Sequence, residues 1–315
     1  MLIRIGLPIA GGNLAAAARR LGAPVLISAN ALSRPWPRKH RGEHRWPGFR
    51  QPSAALAGLD VALDSAGFVA MSRYRGYPWP VDAYVRLAGA YPWSWWAAMD
   101  LCCEPEIARD RDEVQLRIAG TCRLLSACRR AAGDLGVTPP TPVLQGWLAD
   151  DFLRCADRLP LPDWPDLVGL GSMCRRRTGG LDGIVAIVDR LDQMLPAHVR
   201  LHLFGVKSAA IAALAGHPRI ASTDSQAWDF TARKTCGAAN DMAHRARCMQ
   251  TWYARQRQHL RARAPAITPA LPFEVPCDGD LFDEAWFDLV AAGEIDPETV
   301  NPQRLWETRC NADND

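Results

Sequence analysis

Apolar residues along this chain come in short runs. The segments Leu2–Leu7, Val25–Ser28, Val61–Leu63, Trp95–Met99, Val143–Gln145, Leu167–Leu170, Leu201–Phe204 and Ile220–Ser222 are each a few residues long, and polar or turn-forming residues follow them. A short apolar run bounded by such residues predicts a strand buried on both faces. Longer segments lie between the runs, at Asn13–Leu21, Val81–Ala90, Asp110–Gly133, Asp150–Arg158, Leu181–Leu195 and Ser208–Ala215, and these predict helices.

Strands alternating with crossover helices imply a parallel sheet. The expected class is therefore α/β, and eight such units suit a (β/α)8 TIM-type barrel. A doubly wound open sheet is the alternative architecture. From about Glu274 the chain turns acidic and turn-rich, as in CDGDLFDEAWFD, which predicts an appended C-terminal segment. The expected division is a barrel over residues 1–265 and an acidic extension over 266–315.

Composition narrows this picture only a little. A hydrophobic content of 48% is ample for a core, and a net charge of +3 over 315 residues requires no nucleic-acid partner. The opening MLIRIGLP is too short an apolar run for a secretory leader, and no apolar stretch reaches membrane-spanning length. The expectation is a soluble cytoplasmic protein, with no membrane partner and with the ten scattered cysteines mostly reduced. Cys102, Cys103, Cys122, Cys128, Cys155 and Cys174 read as ordinary buried thiols.

In a barrel the chemistry sits where strands end. Those positions carry Asp64 and Ser65, then Asp100, then Gln145 with Gly146, then Gly169-Leu170-Gly171-Ser172, then Phe204-Gly205-Val206-Lys207, then Asp224 and Ser225. Any one aspartate here is more readily a helix cap or a turn residue. Three of them with a glutamine, each at a different strand end, make a polar rim that caps alone do not explain.

The order of these segments resembles the queuine/archaeosine tRNA-guanine transglycosylases. Asp64-Ser65-Ala66-Gly67-Phe68 is similar to that family's Asp-Ser-Gly-Gly-Phe, with Ala66 replacing a glycine. Met99-Asp100-Leu101-Cys102, Val143-Leu144-Gln145-Gly146, Val168-Gly169-Leu170-Gly171 and Leu203-Phe204-Gly205-Val206 resemble its later motifs, and Asp224 falls at its nucleophile. The stretches DSAGFVAMSRYRGYPW, WWAAMDLCCEPEIA, PVLQGW, GVKS and STDSQAWD look closer still to the DNA-acting branch, the DeoxyPurine in DNA protein A (DpdA) family.

That resemblance implies exchange of guanine in DNA for a 7-deazaguanine such as 7-cyano-7-deazaguanine. It implies Asp224 as the nucleophile at C1′ and Asp64 as the acid/base group, since neighbouring carboxylates push each other's pKa values apart. Asp229 is the rival nucleophile, five residues further on. Asp100, Gln145, Gly169, Gly171, Ser65 and Gly205 are expected to bind the base. Phe204 is expected to stack on it, with Tyr74 as a helper, although Phe204 reads equally well as core.

A base inside a duplex must be flipped out or met single-stranded, and the backbone must be gripped by cations. Candidates are Arg175, Arg176, Arg177 and Lys207, the Arg34–Arg50 stretch with Trp36 and Trp46, and the arginines from Arg245 to Arg263. Each basic stretch reads equally as a solvated surface. DNA, a 7-deazaguanine base, and either a helper protein or a second copy are the expected partners. No cofactor is required for the chemistry. The tRNA enzymes carry a structural zinc, and Cys236, His244, Cys248 and His259 occupy the matching region, without the family's close cysteine spacing. The alternatives are a tRNA-guanine transglycosylase, a barrel hydrolase using a metal, and a catalytically silent nucleic-acid-binding barrel.

Overall fold

The structure is a computed structural model, and it describes residues 1–35, 46–236 and 241–261. The strands are β1 (Leu2–Leu7), β2 (Val25–Ser28), β3 (Val61–Asp64), β4 (Trp95–Trp96), β5 (Val143–Leu144), β6 (Leu167–Leu170), β7 (Arg200–Leu203) and β8 (Ile220–Ser225). They form one parallel sheet in the order β4-β3-β2-β1-β8-β7-β6-β5. First and last strands are neighbours and the order runs in one direction with no reversal, so the doubly wound alternative is excluded. The eight-strand order is that of a (β/α)8 barrel whose ladder is open between β4 and β5. Across that opening a single parallel bridge joins Ala97 to Thr141. Two backbone bonds make it, Ala98 N–H to Thr141 O and Thr141 N–H to Trp96 O, each 2.8 Å.

The helices are α1 (Gly12–Arg20), α2 (Ala29–Leu32), α3 (Gly67–Tyr74), α4 (Val81–Gly89), α5 (Pro105–Ala108), α6 (Arg111–Leu135), α7 (Ala149–Arg158), α8 (Ile184–Met194), α9 (Ser208–Ala213), α10 (Ala227–Cys236) and α11 (Met242–Arg261). The longest, α6, shows why the chain breaks where it does. Asp110 caps it by accepting from the amides of Asp112 and Glu113 at 3.0 and 3.1 Å, and Gly136 ends it at φ 64°.

Side chains alternate across the sheet with period two. Ile3, Ile5, Leu7, Val25, Ile27, Val61, Leu63, Val168, Leu170, Leu201 and Leu203 join the helices in the core. The intervening positions face the sheet's interior. There Trp95, His202 and Phe204 pack edge to face, with centroids 4.7 Å apart for Trp95–His202 and 4.6 Å for His202–Phe204. Arg4 lies 5.6 Å over Trp95, and its guanidinium is held by Asp60 at 2.9 Å. The sheet is curled tightly enough for a side chain of β4 to touch one of β7, and this layer floors the cavity above it.

β8 runs three residues beyond the expected Ile220–Ser222, so Asp224 lies within a strand instead of after it. Of Trp95–Met99 only Trp95–Trp96 pair as a strand, with the bridge at Ala97 following. The proposed 266–315 extension and the end of the 1–265 unit lie outside the described residues. Among the described residues no helix is long and apolar enough to cross a membrane.

Candidate active site

A cavity of ≈ 250 Å³ opens at the C-terminal ends of the strands. It brings together Asp64 from β3, Asp100 from the turn after β4, Gln145 after β5, Gly171 after β6, Phe204, Gly205 and Lys207 after β7, and Asp224 from β8. Ser65 and Gly169 do not line it; Ser65 stands behind Asp100, and Gly169 lies one layer lower.

Asp100 is the best-held side chain. Ser65 Oγ donates to Oδ1 at 2.6 Å and Gln145 Nε2 donates to Oδ2. The Tyr77 hydroxyl, 2.9 Å from Ser65 Oγ, accepts from the Asp100 amide and donates to the Asp100 carbonyl. Gln145 is fixed in turn, because its Oε1 accepts from Ser172 Oγ at 2.5 Å and Ser172 accepts from the Cys103 amide at 2.7 Å. Each Asp100 oxygen keeps a lone pair for a ligand. Burial pushes this carboxyl up, and the bonds from Ser65 and Gln145 oppose the rise.

The glycines make this arrangement possible. A Cβ on Gly169 would stand 2.6 Å from the Phe204 ring, and one on Gly171 would overlap the Gln145 amide. Gly205 sits at φ 66° and gives its amide to Asp224 Oδ1 at 2.9 Å. Ala66, where the resembling motif has glycine, also adopts the left-handed region at φ 68°, and its amide donates to Asp64 Oδ2 at 3.0 Å.

Electrostatics set the carboxylates apart. Asp64 is pushed up to about 7, first by burial and then by the charges of Asp100 and Asp224. Below Asp224 lies His202, whose Nε2 is 3.4 Å from Asp224 Oδ1 and whose Nδ1 is 2.7 Å from Ser222 Oγ. Burial holds this imidazole below its ordinary pKa, so it stays neutral at pH 7. Neither His202 nor Tyr77 is evident from the sequence. A histidine two residues before Phe204 on a buried strand was the one available signal.

Other expected residues are placed elsewhere. Asp229 is buried in α10, where Arg245 approaches at 2.6 Å and Arg233 at 2.7 Å; it does not line the cavity. Arg245 is thereby a structural partner of Asp229. Tyr74 bonds to Asn30 at 3.1 Å, away from the cavity. Arg175 is buried and paired with Glu106 at 2.5 Å. Arg176 is 1% exposed, stacks 4.0 Å over Trp147, and gives its N–H groups to the carbonyls of Trp147, Asp182 and Ser172. These two guanidiniums hold loops together, whereas Arg177 is exposed and Lys207 stands at the cavity mouth. Trp46 packs inward on Phe49 and Trp79, and Trp36 lies outside the described residues.

The expected metal ligands do not form one set. His244 and Cys248 meet on α11, with Nε2 and Sγ 3.2 Å apart. His259 is eleven residues beyond Cys248 on the same helix, roughly 16 Å along its axis. The side chain of Cys236 is outside the described residues. Among the described residues no three His, Cys, Asp or Glu side chains cluster to hold an ion. The seven described cysteines are all free thiols.

A search of curated proteins returns no match to this chain. The family model described as DpdA, DeoxyPurine in DNA protein A, matches residues 39–275, well over half of the 315, and spans every carboxylate of the cavity; the chain belongs to that family.

Proposed function

We propose that this chain is a DNA-guanine transglycosylase, exchanging guanine for a 7-deazaguanine through a covalent aspartyl-nucleotide. Membership of a DNA-modifying family supports DNA as the substrate. The observation that carries the reading is the meeting of Asp64, Asp100 and Asp224 around one base-sized cavity, with a glutamine between them.

The chemistry follows from the placement. Asp100 accepts from guanine N1–H and the exocyclic amine through its two free lone pairs, and the second amide hydrogen of Gln145 reaches O6. Phe204 lies against the flat face of the base. Asp224 attacks C1′ as the bond to N9 breaks, and Asp64 gives the leaving guanine its proton at N9. A carboxyl near 7 is suited to hold that proton and then to take one from N9 of the incoming base. The new base attacks C1′ and Asp224 is released. The Gly205 amide fixes Asp224 Oδ1, leaving Oδ2 for attack. Lys207 and Arg177 face the nucleic-acid backbone in this reading.

The zinc expected from the tRNA enzymes finds no complete ligand set in the described residues, and no step uses it.

The test is label exchange. Radiolabelled guanine is incubated with the protein and either duplex DNA, single-stranded DNA or tRNA, alongside Asp224→Ala. Label entering DNA and lost in the variant is the expected result. Label entering tRNA alone would move the chain to the tRNA reaction, and binding without label in any acceptor would favour a silent binder.

A further inference from the structure

Glu104 is a carboxyl without an assigned task. It is 4% exposed, lines the cavity, and among the described residues neither of its oxygens has a hydrogen-bond partner. The bland explanation would be a cap on α5, which it precedes. Only its backbone serves there, accepting from the amides of Ile107 and Ala108; its side chain caps nothing. A buried, unpartnered carboxyl facing a cavity costs stability, so its presence points to a ligand.

Its position along the cavity wall identifies which part of a ligand it meets. Asp100 bonds to Gln145, Gln145 to Ser172, and Ser172 to the amide of Cys103, the residue before Glu104. On the proposed reading this order follows the edge of the base, from N1–H and the amine at Asp100, to O6 at Gln145, to the next position round the ring. That next position is 7, where a deazaguanine carries its substituent and guanine carries none.

We propose that Glu104 is a specificity-determining residue that reads the 7-substituent of the incoming base by a hydrogen bond. This rests on the transglycosylase reading above. The polarity of the bond follows from the surroundings. Burial raises the Glu104 carboxyl to about 7 and Glu106 adds to the rise, against the pull of Arg175 and Arg176. The thiols of Cys102, Cys103 and Cys174 are the remaining titratable neighbours, and all three are pushed up, so they stay neutral. The protonated carboxyl is a donor, which suits an acceptor such as a nitrile. A cationic aminomethyl group would instead need the ionised form.

Calorimetric binding of free guanine and free 7-cyano-7-deazaguanine tests this without turnover, between pH 6 and 8.5, on the wild type, Glu104→Ala and Glu104→Gln. The wild type should favour the cyano base at pH 6 and lose that preference as pH rises through 7. Glu104→Ala should lower the preference about tenfold. Glu104→Gln keeps the shape and an N–H donor, so its preference should no longer vary with pH. An unchanged preference in Glu104→Ala, a pH dependence persisting in Glu104→Gln, or no binding of either base to the wild type would each overturn the proposal. Base binding that follows this pattern with no exchange into DNA would instead sink the transglycosylase reading and leave the Glu104 site standing.

Discussion

A Cβ on Gly67 would lie 2.8 Å from both carboxylate oxygens of Asp100. Gly67, the one glycine of the Asp64–Phe68 stretch, therefore makes room for the carboxylate delivered by the neighbouring strand. Gly67→Ala must push Asp100 off its bonds with Ser65 and Gln145. Label exchange should fall by at least about tenfold, the cost of one misplaced charged hydrogen bond. The expected loss is in binding of the base, read as a raised KM for guanine, with the circular dichroism spectrum unchanged.

Two nearby aspartates should respond in opposite ways. Asp224→Ala should abolish exchange while leaving thermal stability close to that of the wild type. Asp229→Ala removes the carboxylate that pairs with both the buried Arg245 and Arg233, and should cost roughly 3 kcal/mol of folding stability. Denaturant titration beside an activity assay separates the two. Equal destabilisation by both would undo the assignment of Asp224 as nucleophile and Asp229 as structural.

The acidic groups make stability depend on pH with a definite sign. Asp64 and Glu104 have carboxyls raised to about 7 from 3.8 and 4.5. Each contributes stability that is complete below its ordinary pKa and gone once pH has risen through 7. His202 has the opposite sign, since burial lowers its pKa from 6.5; its contribution is present above 6.5 and is lost on acidification. Asp64→Asn should therefore melt higher than the wild type at pH 8, and the gap should shrink at pH 5. The wild-type exchange rate should fall above pH 7, where the leaving base loses its proton donor. A gap of the same size at both pH values would mean that Asp64 does not carry the proton.

Adjacent arginines should also separate. Arg176→Ala frees four loop carbonyls and uncovers Trp147, so it should lower the melting temperature. Arg177→Ala should leave stability intact, weaken DNA binding, and reduce the salt slope of binding by about one. A fluorescence titration at several salt concentrations reads the second effect. An unchanged slope would remove Arg177 from the backbone contacts.

Strand ends were legible in the sequence because a buried parallel strand is a short apolar run with punctuation after it. Asp64, Asp100, Gln145 and Asp224 could be found that way, and alternation brings all four to one cavity. The extra length of β8 was hidden, since its polar Thr223, Asp224 and Ser225 read as the strand's end and the start of a loop. Charge patterning misled at Arg175 and Arg176, because a run of arginines does not reveal whether the guanidiniums meet water or carbonyls. Glu104, Tyr77 and His202 were invisible for a related reason. Their significance lies in neighbours 20 to 70 positions away, as in the bonds from Tyr77 to Asp100 and from Cys103 to Ser172.

The open seam between β4 and β5 would give a bound base a second role. Asp100 follows one lip of the seam and Gln145 follows the other, and in the ladder itself only the Ala97–Thr141 bridge spans it. A purine held by both residues would act as a keystone, its rigid ring completing an arch that the backbone leaves unfinished. The bond from Gln145 to Asp100 already ties the two lips, and occupancy would tighten them further. The amides of Ala98 and Thr141 should exchange with deuterium more slowly when the base is bound, and the hoop should loosen each time a base departs.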